Sequence, residues 1–168
     1  RFTGARRARN LLSTTSEDFS NAAWAKYAAG AGSVPVITGG FTDPDGGSTA
    51  YRLQADAGGT GGADYSILRN TLSVASVHLS SLWIKSNTGA TQTVGVGVLA
   101  MGQAVVATTE WQRLSVAPYV SANNLFDISA YPAVNGSTQS IDVLIWRAQL
   151  EDITGRTDQT TPSEYVSV

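Results

Sequence analysis

Two short stretches of the sequence place an aromatic side chain next to polar groups on one side of an alternating pattern. In 77–86, Leu82 and Ile84 alternate with Trp83 and Lys85. Successive side chains of a β-strand point to opposite faces, so a strand that buries the two aliphatic residues directs Trp83 and Lys85 away from the core. An aromatic ring with a hydrogen-bonding group beside it suits the C–H groups and hydroxyls of a sugar. Trp83 and Lys85 are therefore candidate carbohydrate-binding residues.

The stretch 125–131 has a similar pattern. Its even-numbered residues are apolar, which places Asp127, Ser129 and Tyr131 together on the other face. If both stretches lie in one sheet, their polar faces form a single groove. The predicted carbohydrate-binding residues are then Trp83, Lys85, Asp127 and Tyr131, with Tyr65, Arg69 and Gln92 at the edges. Exposed aromatic residues equally suit an extension of the core or a subunit interface, so the pattern leaves both interpretations open.

Residues for catalysis or metal binding are sparse. His78, the single histidine, shares a face with Leu82 and Ile84, which predicts a packed, hydrogen-bonded core residue. With one histidine and no cysteine, a zinc site and a Ser-His-Asp triad lack support. Two of the thirteen acidic residues would suffice for a glycosidase, but spacing in sequence does not give the separation on which that reaction depends. We therefore expect that the chain is not an enzyme.

One turn begins like a calcium-binding loop. Asp43 and Asp45 are followed by Gly46, but Gly47 and Gln54 stand where an EF-hand has its next acidic ligands. The pattern favours a plain turn and no bound cofactor. A structural calcium has no support in the sequence.

Composition predicts a single domain of short strands and tight turns. The 168 residues are 42% hydrophobic but only 14% charged, with 17 glycines. Runs rich in β-branched and aromatic residues recur between Gly, Asn, Asp and Pro, without a sustained helical period. We predict strands over 10–13, 33–37, 49–56, 64–70, 77–86, 91–99, 111–120, 125–131 and 139–150. This is typical of an all-β, two-sheet antiparallel jelly-roll β-sandwich.

Two segments depart from the plain strand pattern. Residues 16–26 have a capping serine, early acidic residues and several alanines, so a short helix and an irregular segment are equally compatible with them. Gly95 and Gly97 alternate with valines, and a strand face without side chains leaves room for a close approach by a ligand or a neighbouring chain.

The run 139–150 is apolar on both of its faces. Its first face carries three aliphatic residues, and its second carries Leu144, Trp146 and Leu150. We therefore expect this strand to be covered on both sides.

Charge argues against two classes of partner. The net charge is −2, and the basic residues form no stripe along any predicted strand, so binding to nucleic acid is not expected. No run approaches the length of a membrane span, so membrane insertion is not expected either. The one basic cluster lies in the first residues, which predicts a lead-in linker over 1–9. The remaining residues are predicted to form a domain over 10–153 and a tail or linker over 154–168. The cluster consists of Arg1, Arg6, Arg7 and Arg9.

Several short motifs together resemble a recurring domain of phage virions. They run in the same order as in that family, which is found in tail fibre and tailspike proteins and is similar to jelly-roll carbohydrate-binding modules. They are NLL at 10–12, SEDFSNAAWAK at 16–26, DGGSTAYRL at 45–53, SLWIK at 81–85, WQRLS at 111–115 and IWRAQLE at 145–151. One departure is Arg147, where the family usually has glycine.

The resemblance implies a fold, a location and partners. It implies a jelly-roll domain on the virion surface that binds a bacterial cell-surface polysaccharide and contacts other virion chains, with a homotrimer expected because such appendages are trimeric. The same resemblance implies that Trp24, Trp111 and Trp146 belong to the framework and pack in the core. The alternative is a structural decoration or assembly domain that binds no sugar.

Overall fold

The computed structural model describes residues 10–12, 15–72, 77–97, 102–120 and 124–167. Ten strands and one helical turn follow one another along these ranges. They are β1 Trp24–Ala29, β2 Ser33–Phe41, β3 Ala50–Asp56, β4 Tyr65–Leu72, β5 Val77–Ser86, β6 Gln92–Gly97, β7 Gln103–Ala107, β8 Gln112–Val120, β9 Asn124–Ala130, the single helical turn α1 Pro132–Asn135, and β10 Ser140–Asp152.

The strands form two antiparallel five-stranded sheets. Sheet A has the order β2-β3-β10-β5-β8, and sheet B has the order β1-β4-β9-β6-β7. Strands that are neighbours in sequence often lie in different sheets, as expected for a jelly roll. The predicted fold, a two-sheet antiparallel jelly-roll sandwich, is confirmed.

The core lies between the two sheets and follows the alternation in the sequence. Leu82 and Ile84 of β5 and the even-numbered residues of β9 are fully buried in it, as predicted. Trp24 also lies in the core, where its ring is 4.9 Å from that of Phe19 and 5.8 Å from that of Phe126. Its indole Nε1 donates to the carbonyl of Thr15 (2.8 Å). The framework role of Trp24 is therefore confirmed.

The segment 16–26 forms turns and the start of β1 rather than a helix. The side chain of Asp18 accepts a hydrogen bond from the backbone N–H of Ser20, and that of Asn21 accepts one from Ala23. Short polar side chains of this kind satisfy the backbone in turns and thereby compete with a helix. Strand β7 was also missed by the sequence analysis, because its five residues are short for a period-two pattern.

The other two framework tryptophans lie outside the central cluster, and of these Trp146 is buried as predicted whereas Trp111 is not. Trp146 is only 3% exposed, but it lies on the outer face of sheet A, and Trp111 is half-buried at the start of β8, outside the main cluster. Strand β10 is covered on both faces, as predicted, yet a bulge between Trp146 and Gln149 reverses its alternation. Leu150 consequently points into the core instead of sharing a face with Trp146.

Candidate functional site

The predicted carbohydrate-binding residues fall into two separate groups. Trp83 and Lys85 lie on β5 in sheet A and point away from the core, as their alternation predicted. Arg69 and Asp127 lie on β4 and β9 in sheet B, and Tyr131 follows β9 directly. The outer faces of two packed sheets point in opposite directions, so the single groove expected from the sequence does not form.

An ion pair occupies the centre of the outer face of sheet B. Arg69 and Asp127 lie opposite each other on paired strands, and both guanidinium-to-carboxylate distances are 2.7 Å. Asp127 is fully buried, whereas 19% of the Arg69 side chain is exposed. The hydrogen bonds that Arg69 donates to the Asp127 carboxylate raise the pKa of Arg69 above its ordinary value. A two-point contact of this kind fixes the plane of the guanidinium group.

Tyrosines surround this ion pair. The Arg69 guanidinium lies 5.5 Å from the centre of the Tyr27 ring, and Tyr27 is 44% exposed. Beyond the end of β9, the rings of Tyr65 and Tyr131 are 5.3 Å apart. Tyr131 is 6% exposed, and its hydroxyl donates to the carbonyl of Gly62. Tyr27 and Tyr65 therefore offer the accessible rings, and the buried ring of Tyr131 packs against Tyr65.

The polar residues of β9 are less exposed than the sequence suggested. Alternation placed Asp127, Ser129 and Tyr131 on an outer face, which is correct, but all three are buried. The reason is that each is covered by a partner: Arg69 covers Asp127, and the side-chain amide of Asn135 donates to the Ser129 hydroxyl (2.9 Å). Asp127 and Tyr131 thus position Arg69 and Tyr65 rather than presenting themselves to solvent.

Several positions on the outer face of sheet B carry alanine or glycine and therefore have short side chains or none. Ala25 pairs with Arg69, Ala29 pairs with Tyr65, and Gly95 pairs with both Ser129 and Ala104 in neighbouring strands. Gly97 does not belong to this floor, because a side chain there would meet Val116 across the core. The accessible rings therefore stand beside short side chains, with the buried Ile67 between Tyr65 and Arg69 on β4.

Tyr27 was not among the binding residues predicted from the sequence. Tyr27 lies directly after the segment 16–26, for which a helix was equally compatible, and outside every predicted strand, so no face could be assigned to it. Ala25, Tyr27 and Ala29 alternate with Trp24, Lys26 and Ala28, and this alternation becomes readable only when the segment is known to be a strand.

The outer face of sheet A is covered by the C-terminal segment. Gln149 and Glu151 are buried there, and their side-chain oxygens accept hydrogen bonds from the backbone of Val166 (2.8 Å) and Ser163 (2.9 Å). Arg156 adds an ion pair to Glu151 at 2.9 Å. Residues 154–167 are therefore fixed against the sheet by buried polar groups.

Trp83 lies beside this covered area and contacts another tryptophan. Its ring centre is 6.3 Å from that of Trp146, its partner in β10, and it is paired with Arg113 in β8. Arg113 in turn donates to the carbonyl of Ser163 (2.7 Å). Trp83 and Lys85 are each half-buried, and their role in binding stays a prediction.

Three further residues singled out from the sequence have structural contacts. Gln92 connects the sheets: its amide donates to the carbonyl of Asp142 (2.7 Å) and accepts from the N–H of the same residue (2.8 Å). His78 is fully buried, and burial lowers its pKa. The carboxylate of Asp43 accepts hydrogen bonds from the backbone of Asp45, Gly47 and Thr49 and from the Thr49 hydroxyl. That carboxylate closes a turn.

The described ranges contain neither a cluster of metal ligands nor a helix that could span a membrane. Within them, no three His, Asp or Glu side chains are close enough together to hold a metal ion. The one helical segment that they contain is a single turn, too short to cross a bilayer.

Known structures resemble this fold, although no family model and no curated protein matches the sequence. A family 11 carbohydrate-binding module of a cellulosomal cellulase of Clostridium thermocellum aligns with a TM-score of 0.54 and 10% identity, over 89% of this chain and 96% of that one. The CBM22-1 xylan-binding domain of Paenibacillus barcinonensis Xyn10C aligns with a TM-score of 0.50 and 18% identity, over 88% and 97%. The chain shares their fold.

A phage protein also appears among the similar structures. The enzymatically active domain of bacteriophage CBA120 tailspike protein 4 aligns with a TM-score of 0.46 and 12% identity, over 84% of this chain and 21% of that one. This similarity is too low to support an argument about function.

Proposed function

We propose that this domain is a non-catalytic carbohydrate-binding module whose ligand lies on the outer face of sheet B. The observation that carries the proposal is the arrangement of Tyr27 and Tyr65 around Arg69, whose guanidinium plane is fixed by the buried Asp127. Exposed rings stack on the C–H faces of sugars, and a fixed guanidinium donates hydrogen bonds to hydroxyls. A donor that is already ordered loses little entropy when the ligand binds.

The shape of this face favours a chain of sugar residues over a single one. Tyr27 lies in edge strand β1, Tyr65 lies at the start of the neighbouring β4, and Ala25 and Ala29 flank Tyr27 on the same face. Successive sugars of a polysaccharide can contact the two rings in turn. The similar fold of known carbohydrate-binding modules supports this proposal without identifying the sugar.

The biological setting that we propose is the surface of a phage virion. The support is the ordered set of motifs that resemble tail fibre and tailspike domains, of which SEDFSNAAWAK at 16–26 and DGGSTAYRL at 45–53 are the longest. In that setting the ligand is a bacterial cell-surface polysaccharide, the other partners are virion chains, and the domain works as part of a homotrimer. A glycan array probed with this domain tests the sugar directly.

The site is tested by replacing Tyr27, which is exposed and therefore dispensable for folding. We expect Tyr27→Ala to weaken polysaccharide binding at least tenfold, about 1.4 kcal/mol, while stability changes by less than about 1 kcal/mol. Tyr27→Phe keeps the ring and should retain most of the affinity. Calorimetric titration with the best array ligand measures the affinity of both variants. Unchanged affinity in a folded Tyr27→Ala variant would place the ligand elsewhere.

A structural role in assembly is the second candidate function, and one feature favours it. Val34 and Val36 on edge strand β2 are 58% and 54% exposed, and exposed apolar side chains on an edge strand suit contact with another chain. A blank glycan array, together with self-association that is lost in a Val34→Ser/Val36→Ser variant, would support this function instead.

A further inference from the structure

A second concave site lies at one end of sheet A, far from the tyrosines of sheet B. It is a cavity of about 530 Å³ next to the bulge in β10, within the size range of small-molecule sites. Its lining combines aromatic, acidic and basic side chains. They are Glu17, Asp18, Thr49, Tyr51, Trp146 and Arg147, with Gly40 and Ser48 completing the wall.

Arg147 is the distinctive residue of this cavity. Its φ of +45° is in the left-handed region, and among the described residues it is the one non-glycine with a positive φ. The guanidinium lies 3.7 Å from the centre of the Trp146 ring, and Nη1 is 3.0 Å from the Asp45 carboxylate. Its Nε is buried 3.5 Å from Glu17, without a hydrogen bond in the described structure. A strained backbone thus holds a cation whose donors are only partly used.

The same cavity lining contains ordered oxygen acceptors. The carboxylate of Asp18 accepts hydrogen bonds from the hydroxyls of Ser20 and Tyr51, and the contact with Ser20 is the main reason that the pKa of Asp18 is lowered. Thr49 is fixed between the indole Nε1 of Trp146 (2.8 Å) and Asp43. The cavity therefore brings hydrogen-bond donors, acceptors and aromatic rings together in one lining.

We propose that this cavity is a second ligand site that binds one neutral sugar residue, independently of the face of sheet B. A pyranose offers C–H groups for the partly exposed ring of Tyr51 and hydroxyls for the carboxylates and for the guanidinium that covers Trp146. Acidic sugars fit poorly, because Glu17, Asp18 and the nearby Asp45 outnumber the single cation Arg147. The negative excess repels a uronic acid carboxylate.

The test uses the whole domain and a panel of monosaccharides, each neutral hexose being paired with its uronic acid. We expect neutral hexoses to shift the NMR signals of the Trp146 indole N–H and the Thr49 amide in a saturable manner, and uronic acids to bind at least tenfold more weakly. The proposal is overturned if no neutral hexose shifts these signals, or if the uronic acids bind equally well.

Two variants separate binding from folding. Arg147→Gly removes the guanidinium and places glycine where the backbone has a positive φ, so we expect an unchanged or higher melting temperature and at least a tenfold loss of monosaccharide affinity. Glu17→Gln changes an exposed side chain and should narrow the difference between neutral and acidic sugars. Wild-type affinity in Arg147→Gly contradicts the proposal. Tyr27→Ala should leave this site unaffected, so failure here and failure of the sheet B site are distinguishable.

Discussion

The outer faces of the two sheets use buried polar side chains in opposite ways. On sheet A, Gln149 and Glu151 bind the backbone of the chain's own C-terminal segment, so the face is closed by the protein itself. On sheet B, the buried Asp127 holds Arg69, which remains partly exposed among tyrosines. A buried polar group on the outer face of a sheet therefore either binds a segment that covers the face or positions a side chain that stays partly exposed. The difference lies in whether its partner belongs to a segment that lies over the face, as for Glu151, or to a neighbouring strand of the same sheet, as for Asp127.

The largest expected effect concerns a tryptophan on the covered face. Trp146→Ala should cost about 3 to 5 kcal/mol, because a large buried side chain is emptied and its hydrogen bond to Thr49 is lost. Trp111→Ala is the matched control. The sequence assigned Trp111 to the core as well, but a half-buried residue outside the main cluster should cost about half as much or less. Chemical denaturation of both variants measures the difference, and equal losses would contradict it.

A comparably large effect is expected on the open face. Arg69→Met leaves the fully buried Asp127 carboxylate without its ion pair, and such a loss costs about 3 to 5 kcal/mol. Arg69→Met/Asp127→Leu removes both charges and should recover most of the stability. If the double variant is no more stable than the single one, the ion pair is not the reason for the loss. Denaturant titration of the two variants and the parent completes the cycle.

Removal of residues 154–168 tests whether the C-terminal segment belongs to the covered face. It uncovers Gln149 and Glu151 and breaks several hydrogen bonds of about 1 kcal/mol each. We expect a loss of about 2 to 4 kcal/mol, measured by thermal unfolding. Glu164→Gln changes an exposed side chain of the same segment and serves as the control. A truncated domain with the parent's melting temperature would show that the segment is only a linker.

Trp83→Ala decides which face binds the polysaccharide. The loss of stability should be under about 1.5 kcal/mol, because Trp83 is half-buried and outside the core. Its sequence pattern predicts a loss of affinity of at least tenfold, whereas a ligand on the face of sheet B predicts no change. Titration of Trp83→Ala and Tyr27→Ala against the same polysaccharide separates the two. Whichever variant loses affinity identifies the face.

The smallest effect is the dependence of stability on pH through His78. Burial lowers its pKa below the ordinary 6.5, so the unfolded chain binds more protons than the folded one below that pH. Stability should be complete above about pH 6.5 and fall by at most about 1.4 kcal/mol per pH unit as the pH drops toward the folded pKa. His78→Gln should flatten the curve between pH 5 and 7. A parent protein without this slope would contradict the assignment.

The alternation of apolar and polar residues correctly predicted the face on which a side chain lies wherever a strand has no bulge. It placed Leu82 and Ile84 in the core and Trp83 and Asp127 on outer faces, because successive side chains in an extended chain must point to opposite sides. It failed at β10, where the bulge before Gln149 reverses the pattern. A bulge depends on one residue in an unusual conformation, here Arg147, and nothing in the types of its neighbours requires it.

The sequence by itself determined the class of fold, most of the strands and which face of each strand is apolar, since these depend on local alternation and turn chemistry. The tertiary structure decided which strands share a sheet, and thereby separated Trp83 from Arg69. It also decided that Asp127 is buried, that the chain covers one of its own faces, and that Tyr27 joins the candidate site. Each of these results depends on contacts between residues far apart in sequence, and a pattern read along the chain carries no information about such distances.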